Sequence, residues 1–240
     1  MKKPVFRWLS RLQRLCLLCQ CPIAMPKNPH GYEGTCHTCF HKLMRNVSCC
    51  CRCALPLPRD QHGQTCGRCL QTPPPYQQAC VPLLYHPDLS SFIFRLKKQD
   101  KAVGALASLL LSQVLSSQES AMDVIVPIPL HWQRDLQLGG NGNRMLSARL
   151  ANTLGLKHLP HGLVRYKKTQ AQKTLDYAQR KANVRGSFRV KQPVAGLHVV
   201  LVDDVITTQA TMTEAAKTLL AEGAASVTAA ALARTPFIAK

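Results

Sequence analysis

Residues 199–212 read VVLVDDVITTQATM, and this stretch decides the fold. Its first four residues are apolar and mostly β-branched, which is typical of a strand covered on both faces of a parallel sheet. Asp203 and Asp204 follow at the predicted carboxyl end of the strand, and a Thr-rich turn leads into a predicted helix. Open α/β sheets bind ligands at this end, where the helix N-terminus favours anions. The stretch therefore predicts an α/β domain with an anion-binding site.

The side chains of this stretch suit a ribose phosphate. Two adjacent carboxylates can accept hydrogen bonds from a vicinal diol, and hydroxyls together with backbone amides can bind a phosphate. The pattern resembles the signature loop of type I phosphoribosyltransferases, in which two acids and two variable residues precede Thr-Thr-Gly-x-Thr. On this resemblance the catalytic residues are Asp203 and Asp204, and the ligand-binding residues are Asp203, Asp204, Thr207, Thr208, Gln209, Ala210 and Thr211. The alternative is that both acids only cap the following helix.

Gln209 departs from this motif, which has glycine at that position. Glycine permits a positive φ and a close approach of the backbone to phosphate, whereas glutamine favours neither. Purine-specific members of the enzyme family also carry a carboxylate at the position of Thr207. The sequence therefore predicts a weaker phosphate site that lacks this acid.

Cysteine spacing is the second strong signal. All 12 cysteines lie in the first 80 residues, and eight of them form four CxxC pairs. Sixteen residues separate the first two pairs and twelve separate the last two, a spacing typical of four-thiolate zinc ribbons. Sequential pairing predicts two Zn²⁺ sites, although an interleaved pairing would use the same residues. The predicted metal ligands are Cys16, Cys19, Cys36, Cys39, Cys50, Cys53, Cys66 and Cys69.

Other cysteine chemistries are the alternatives to these zinc sites. A disulfide framework suits a secreted protein, but the N-terminal residues do not resemble a cleaved leader, and the later sequence is typical of a cytosolic enzyme. Neighbouring thiols and imidazoles are alternative ligands, namely Cys21, Cys49, Cys51, His37, His41 and His62. Cys80 stands apart and is predicted to pack in the core. We therefore expect zinc and a cytoplasmic location.

A proline run divides the chain. Pro73, Pro74 and Pro75 disfavour helix and sheet, so we expect a double zinc-ribbon module at 1–72, an extended spacer at 73–84 and an α/β domain at 85–240. Periodicity and helix-stop signals predict helices at 90–98, 101–116, 144–154 and 210–221, and strands at 123–128, 198–202 and 226–232. Strands that alternate with helices indicate a parallel sheet. The predicted fold class is α/β, a parallel-sheet type I phosphoribosyltransferase-like domain after the zinc-ribbon module.

The chain is strongly basic, with 31 Lys/Arg against 12 Asp/Glu and a net charge of +19. Residues 1–80 hold 11 of the basic and 2 of the acidic residues, so the zinc module is more basic per residue than the rest. A positive surface favours polyanions, and DNA is the expected macromolecular partner. Arginines interrupt the apolar pattern of residues 1–18, so we expect a short basic helix there and no membrane span.

The whole sequence resembles the ComF family, which includes competence protein F and the DNA-utilization protein GntX. The resemblance rests on the cysteine pattern, the signature loop and several further positions, namely 126–131, Arg134, Thr169, Gln172, Leu175, Arg180, Asn183, Val184, Gly186 and Phe188. It implies a role in DNA uptake or utilization and a domain that binds 5-phosphoribosyl-1-pyrophosphate (PRPP) with Mg²⁺. It also implies that residues 129–134 form the pyrophosphate-binding loop, with Arg134 as the pyrophosphate ligand; the alternative for Arg134 is a solvated surface charge.

Two further segments are interpreted through this resemblance. Members of the family carry Arg-Gly-Phe-Asn-Gln where residues 138–142 read LGGNG, which predicts altered ligand binding. The basic segment 165–190 corresponds to a region with a mobile loop that closes on PRPP. Its candidates for phosphate or nucleic-acid contact are Arg165, Lys167, Lys168, Lys173, Arg180 and Lys181, and the alternative is a solvated basic face.

Two functions fit these features. As a phosphoribosyltransferase-like enzyme, the chain would bind PRPP with Mg²⁺ and transfer a ribosyl phosphate with release of pyrophosphate. As a non-catalytic accessory protein, it would bind DNA and use the same fold as a nucleotide sensor or scaffold, with a DNA affinity that falls steeply with salt. The departures at Gln209 and 138–142 favour the second function.

Overall fold

The computed structural model describes residues 15–23, 34–130, 135, 140–167 and 183–236. The helices are α1 His37–Lys42, α2 Gly67–Gln71, α3 Ser90–Lys97, α4 Lys101–Ser116, α5 Gly142–Leu154 and α6 Ala210–Ala221. The strands are β1 Gln78–Cys80, β2 Leu83–Leu84, β3 Val124–Pro127, β4 Lys157–His158, β5 Leu163–Arg165, β6 Phe188–Val190, β7 His198–Ile206 and β8 Ser226–Arg234. Short 3₁₀ turns occupy Arg59–Gln61 and Pro87–Leu89.

Six of these strands form one parallel sheet. Their order is β1-β8-β7-β3-β4, and β2 pairs with β8 beyond the end of β1. Successive residues of β7 enter two different cores, Val199 and Leu201 on one side and Val200 and Val202 on the other. Burial on both faces explains the unbroken apolar run and confirms the prediction of a parallel sheet.

Helices cover both faces of the sheet and complete the two cores. One core is closed by α6, which contributes Met212, Ala215 and Leu219. The other is closed by α3, α4 and α5, with Leu96, Leu110 and Leu146 among their buried residues. The strands β5 and β6 form a separate antiparallel pair. This layered arrangement leaves the carboxyl ends of β3 and β7 side by side, where α5 and α6 begin.

Several predicted helix limits agree with the structure because local signals set them. The helix α4 has the predicted limits, and the side chain of Asp100 caps it by accepting the amides of Ala102 and Val103 at 3.0 and 3.1 Å. The helix α5 ends at Gly155, whose φ of 68° is left-handed. It begins two residues earlier than predicted, because Asn141 caps it.

The predicted end of β7 at Val202 was wrong. The strand continues to Ile206, because β8 also continues to Arg234 and the two strands pair throughout. Asp203 lies opposite Ala231, and Ile206 lies opposite Arg234. The two acids therefore lie within the last part of the strand and not after it.

The spacer predicted at 73–84 differs from the structure in its second half. The strands β1 and β2 join the sheet beside β8, and Cys80 and Leu83 are buried in the core. The proline run ends at Pro75, so the amides of β1 can donate to a ladder, and Pro82, which has no amide proton, separates β1 from β2. The sheet thus begins at Gln78, whereas the limits of the modules stay predictions.

No helix within the described ranges combines the length and apolar character that crossing a membrane requires. The apolar helix α4 instead packs in the core through residues such as Leu106 and Leu111, as its length predicts. The basic helix predicted in residues 1–18 falls mostly outside the described residues.

Candidate functional site

Asp203 and Asp204 form a hydrogen-bonded carboxylate pair in β7. The Oδ1 atom of Asp203 accepts hydrogen bonds from Asn143 Nδ2 at 2.8 Å and from the amide of Asp204 at 2.9 Å. Asp204 Oδ1 accepts the amide of Val205 at 2.7 Å, and its Oδ2 atom lies 2.9 Å from Lys97 Nζ. Lys97 at the end of α3 and Asn143 at the start of α5 therefore fix the orientation of both carboxylates.

The local environment changes the acidity of Asp203. Removal from water and, to a smaller extent, the neighbouring charge of Asp204 raise the pKa of its carboxyl to about 7, against the opposing effects of Asn143 and Lys97. Near neutral pH the Asp203 carboxyl is therefore partly protonated. Such shifts are common where carboxylates are held together for binding or catalysis.

Gly142 makes this arrangement possible. A Cβ atom at this position would lie 2.4 Å from the carbonyl oxygen of Leu96, closer than real Cβ atoms approach. The absence of a side chain lets the start of α5 pack against the end of α3, so that Asn143 and Lys97 both reach the carboxylate pair. In the sequence Gly142 stands out only as part of an altered family motif, and this role was not predicted.

The loop after β7 has the conformation that the motif's glycine would allow. Gln209 has a φ of 68°, which is left-handed, and it precedes the first residue of α6. Its Oε1 atom accepts a hydrogen bond from the hydroxyl of Tyr76 at 2.9 Å. The first turn of α6 has no side-chain cap at Gln209. The substitution therefore keeps the loop geometry that glycine would give, and adds a side-chain anchor.

Arg234 is a buried residue whose side chain hydrogen-bonds to the backbone at the start of the same loop. Its side chain is only 2% exposed, and Nη1 donates to the carbonyl oxygens of Ile206 at 3.0 Å and of Thr207. Its Nε atom donates to the carbonyl oxygen of Cys53 at 3.1 Å. This residue was not predicted from the sequence, although a basic residue that ends a largely apolar strand is a signal of a buried, bonded charge.

The structure describes only some of the predicted site residues. It brings Asp203, Asp204, Thr207, Thr208, Gln209, Ala210 and Thr211 into one strand end, loop and helix start. Arg134 lies outside the described residues, as do the basic candidates Lys168, Lys173, Arg180 and Lys181. Asp135, the next residue after Arg134 in the chain, pairs with Arg144 at 2.9 Å. The role of Arg134 as a pyrophosphate ligand stays a prediction.

Eight cysteines form two clusters, in the sequential pairing. The first cluster contains Cys16, Cys19, Cys36 and Cys39, and the second contains Cys50, Cys53, Cys66 and Cys69. Within each cluster the sulfur atoms all lie within 4.8 Å of one another, and none is in a disulfide. The Sγ atoms of Cys53 and Cys66 are 3.8 Å apart. A tetrahedral ion with Zn–S bonds of about 2.3 Å requires sulfur separations of about 3.8 Å, so the clusters fit structural zinc.

Backbone contacts support this ligand set. The amide of Cys36 donates to Cys16 Sγ at 3.3 Å, and the amide of Cys66 donates to Cys50 Sγ at 3.2 Å. The cysteines outside both clusters are Cys21, Cys49, Cys51 and Cys80, and of the described histidines His37, His41 and His62 none joins a cluster. Burial raises the pKa of the Cys80 thiol to about 12, as suits a packing residue.

Comparisons with known proteins agree with this architecture. Residues 143–236 match the phosphoribosyl transferase domain family. The chain is 38% identical over 227 residues to the DNA utilization protein YhgH of Salmonella typhi, covering 92% of this chain and 97% of the relative. It is 36% identical over 228 residues to YhgH of Escherichia coli K12, with the same coverage. The chain belongs to the ComF family.

A more distant ComF-family relative is competence protein F of Haemophilus influenzae, which is 28% identical over 228 residues, covering 91% of this chain and 96% of the relative. Among solved structures, the glutamine PRPP amidotransferase of B. subtilis aligns with 54% of this chain and 26% of its own, at 19% identity and a TM-score of 0.38. The family assignment does not depend on this structural similarity. ComF membership confirms the resemblance found in the sequence, including the type I phosphoribosyltransferase fold.

Not all of the site lies in the matched domain of this ComF protein. Asn143, Asp203 and Arg234 fall within residues 143–236, whereas Tyr76 and Lys97 precede them. The segment that carries the cysteine clusters and the first helices therefore supplies direct contacts to the loop and to the carboxylate pair.

Proposed function

We propose that this ComF-family protein binds PRPP with Mg²⁺ at the carboxyl end of β7 and acts in DNA uptake or utilization in the cytoplasm. One observation carries the ligand assignment: a carboxylate pair lies directly before a left-handed loop at a helix start. Asp203 and Asp204 would accept the ribose hydroxyls, and residues 207–211 would bind the 5-phosphate. The relatives' names supply the link to DNA.

The donor set also suits Mg²⁺. This ion prefers carboxylate and phosphate oxygens and keeps several of its waters, so it is usually held jointly by protein and substrate. Asp203 and Asp204 offer carboxylate oxygens at the place where the ribose and pyrophosphate oxygens would lie. Bound Mg²⁺ would neutralise charge on the pyrophosphate. We also infer that each cysteine cluster holds one Zn²⁺.

As an enzyme, the chain would transfer the ribosyl phosphate. A nucleophile would bond to the anomeric carbon, and the bond from that carbon to pyrophosphate would break, with its electron pair leaving on pyrophosphate. Positive charge that develops at the anomeric carbon is stabilised by Asp203 and Asp204, because preorganised charges in a partly dry site act strongly on a transition state. Arg134 would bind the departing pyrophosphate bidentately.

PRPP affinity is expected to rise as the pH rises from 6 to 8. With a pKa of about 7, the Asp203 carboxyl is roughly one-tenth ionised at pH 6 and about nine-tenths ionised at pH 8, and the ionised form is the better hydrogen-bond acceptor. Calorimetric titration of zinc-loaded protein with PRPP and Mg²⁺ across this range should show a gain of up to about tenfold. Absence of saturable binding at pH 8 would refute the ligand assignment.

A control without ligand distinguishes the titration of the Asp203 carboxyl from the titration of the PRPP phosphates. Carbon-13 NMR of the aspartate carboxyls should show one resonance that titrates near pH 7, and this resonance should be missing in Asp203→Asn. If all aspartates titrate well below pH 6, the proton exchanged in the binding experiment is not that of Asp203.

One feature favours direct contact with nucleic acid as a second function. Tyr166 follows β5 and is 47% exposed, and the guanidinium of Arg189 on β6 lies 4.2 Å from the centre of its ring. Lys167 and Arg185 are exposed beside them. Exposed aromatic rings can stack on unpaired bases, arginine can add a cation–π contribution, and surrounding basic residues attract phosphates. This surface therefore suits single-stranded DNA.

Single-stranded DNA binding is expected to weaken steeply with salt and to weaken further in Arg189→Gln. Each phosphate contact contributes about 0.7 to the slope of log affinity against log salt, so loss of one contact should reduce the slope by about that amount. Fluorescence anisotropy of a labelled oligonucleotide measures both quantities. The control is Lys217→Gln, an exposed lysine on α6. Salt-insensitive binding, or equal effects of the two changes, would argue against this surface.

A further inference from the structure

A single buried arginine connects the second cysteine cluster to the loop after β7. Arg234 is the last residue of β8, and its guanidinium donates to the carbonyl oxygen of Cys53 at 3.1 Å. The same group donates to the carbonyl oxygens of Ile206, Thr207 and Thr235. One side chain thus bonds to the backbone of a cluster cysteine and to the backbone that leads into the loop.

This arginine has no carboxylate partner among the described residues. Burial lowers the pKa of the guanidinium, and carbonyl oxygens satisfy it instead. A buried charge is unfavourable unless it is well hydrogen-bonded, and an apolar side chain could fill such a space at lower cost. One Zn²⁺ with four thiolates carries two net negative charges, so a buried cation beside Cys53 is electrostatically favourable when the cluster is loaded.

Tyr76 provides a second, separate connection. Its ring is fully buried, and its hydroxyl donates to Gln209 Oε1 at 2.9 Å. Its carbonyl oxygen accepts a hydrogen bond from Arg52 Nη2 at 2.9 Å, and Arg52 lies between Cys50 and Cys53 in the chain. The second cluster is therefore linked by Arg234 to the start of the loop and by Tyr76 to its end.

This second link accounts for the glutamine in the motif. A non-glycine residue at φ 68° needs compensation, because the left-handed region is unfavourable for it. The bond from Tyr76 supplies that compensation, and a buried tyrosine hydroxyl in turn needs a partner. Gln209 and Tyr76 thus satisfy each other, whereas glycine would leave the hydroxyl unpaired.

We propose that Arg234 and Tyr76 are positioning residues that fix the loop at 206–209 to the second cysteine cluster, so that the loop keeps its ligand-binding conformation only while this cluster is loaded. The ligand is PRPP, so this part of the proposal rests on the proposed function. The hydrogen bonds of Arg234 and Tyr76 are present without any ligand. Coupling between two sites is reciprocal. Metal in the second cluster therefore strengthens PRPP binding, and bound PRPP slows the loss of that metal.

Hydrogen exchange of the full-length, zinc-loaded protein tests the link without any ligand. Amides of peptides that span residues 203–212 should exchange at least tenfold faster after chelation of zinc, and also in Tyr76→Phe with zinc present. Arg234→Met should have the larger effect, with partial recovery in Arg234→Lys, which retains a donor. The matched control is Arg59→Met, which changes an exposed arginine between Cys53 and Cys66 of the second cluster. Unchanged exchange in Tyr76→Phe and after chelation would overturn the proposed link.

Zinc release provides the reciprocal measurement. Saturating PRPP with Mg²⁺ should slow release from the second cluster to a chromogenic chelator severalfold, and Tyr76→Phe should remove most of this slowing. Failure of PRPP to bind would refute the proposed function and leave the exchange result standing. PRPP binding with equal zinc-release rates in its presence and absence would instead overturn the coupling alone.

Discussion

Cys53→Ser is expected to eliminate one of two bound Zn²⁺ ions and to unfold the segment around the second cluster. All four cysteines of this cluster are at most 8% exposed, so a serine hydroxyl can neither ligate the metal as a thiolate does nor reach water. Structural zinc contributes apparent free energies of about 10–16 kcal/mol in small zinc domains, which exceeds the total stability of many proteins. Zinc content by mass spectrometry and unfolding in denaturant measure the loss.

Two matched cysteine variants separate metal loss from a general effect of the substitution. Cys51→Ser changes an exposed thiol outside both clusters and should leave zinc content and stability unchanged. Cys19→Ser changes an exposed member of the first cluster, and its effect on the loop after β7 should be smaller, because the hydrogen bonds of Arg234 and Arg52 link that loop to the second cluster. Cys53→Ser protein that retains two zinc ions and the native unfolding midpoint would contradict the assignment.

The elements that could be predicted from the sequence are those with local signals. The predicted limits of α4 agree with the structure, in which the side chain of Asp100 caps the helix, and α5 ends as predicted at Gly155 because a left-handed glycine stops a helix. The end of β7 had no such signal. Its continuation to Ile206 depends on pairing with Arg234, which lies 28 residues later in the chain.

The candidate site also contains residues that the sequence predicts and residues that it does not. Asp203, Asp204 and the loop that follows were predicted because one continuous motif contains them. Their supports come from other parts of the chain: Lys97 and Asn143 orient the carboxylates, and Tyr76 and Arg234 anchor the loop. No local pattern specifies these long-range contacts. The motif's departure at Gln209 was the available hint, because a residue that costs energy in its backbone conformation needs a partner elsewhere.

The double change Asp203→Asn and Asp204→Asn is expected to weaken PRPP binding by about 10²- to 10⁴-fold. A hydrogen bond to a charged group contributes about 1.5–3 kcal/mol, and two such bonds would be lost or reduced to neutral ones. Calorimetric titration at pH 8 measures the loss. Glu222→Gln, an exposed acid at the far end of α6, is the control and should bind PRPP normally. Unchanged affinity in the double variant would contradict the assignment of these carboxylates.

Stability distinguishes a functional role of the pair from a structural one. Asparagine retains the size of aspartate, and the raised pKa of Asp203 means that the folded protein disfavours its ionised form. Near neutral pH, replacing that carboxyl should therefore leave the unfolding midpoint unchanged or raise it slightly. If both acids only capped the following helix, their replacement would lower stability. Loss of PRPP binding together with retained stability and zinc content is the result expected of carboxylates that are kept for a ligand at some cost to the fold.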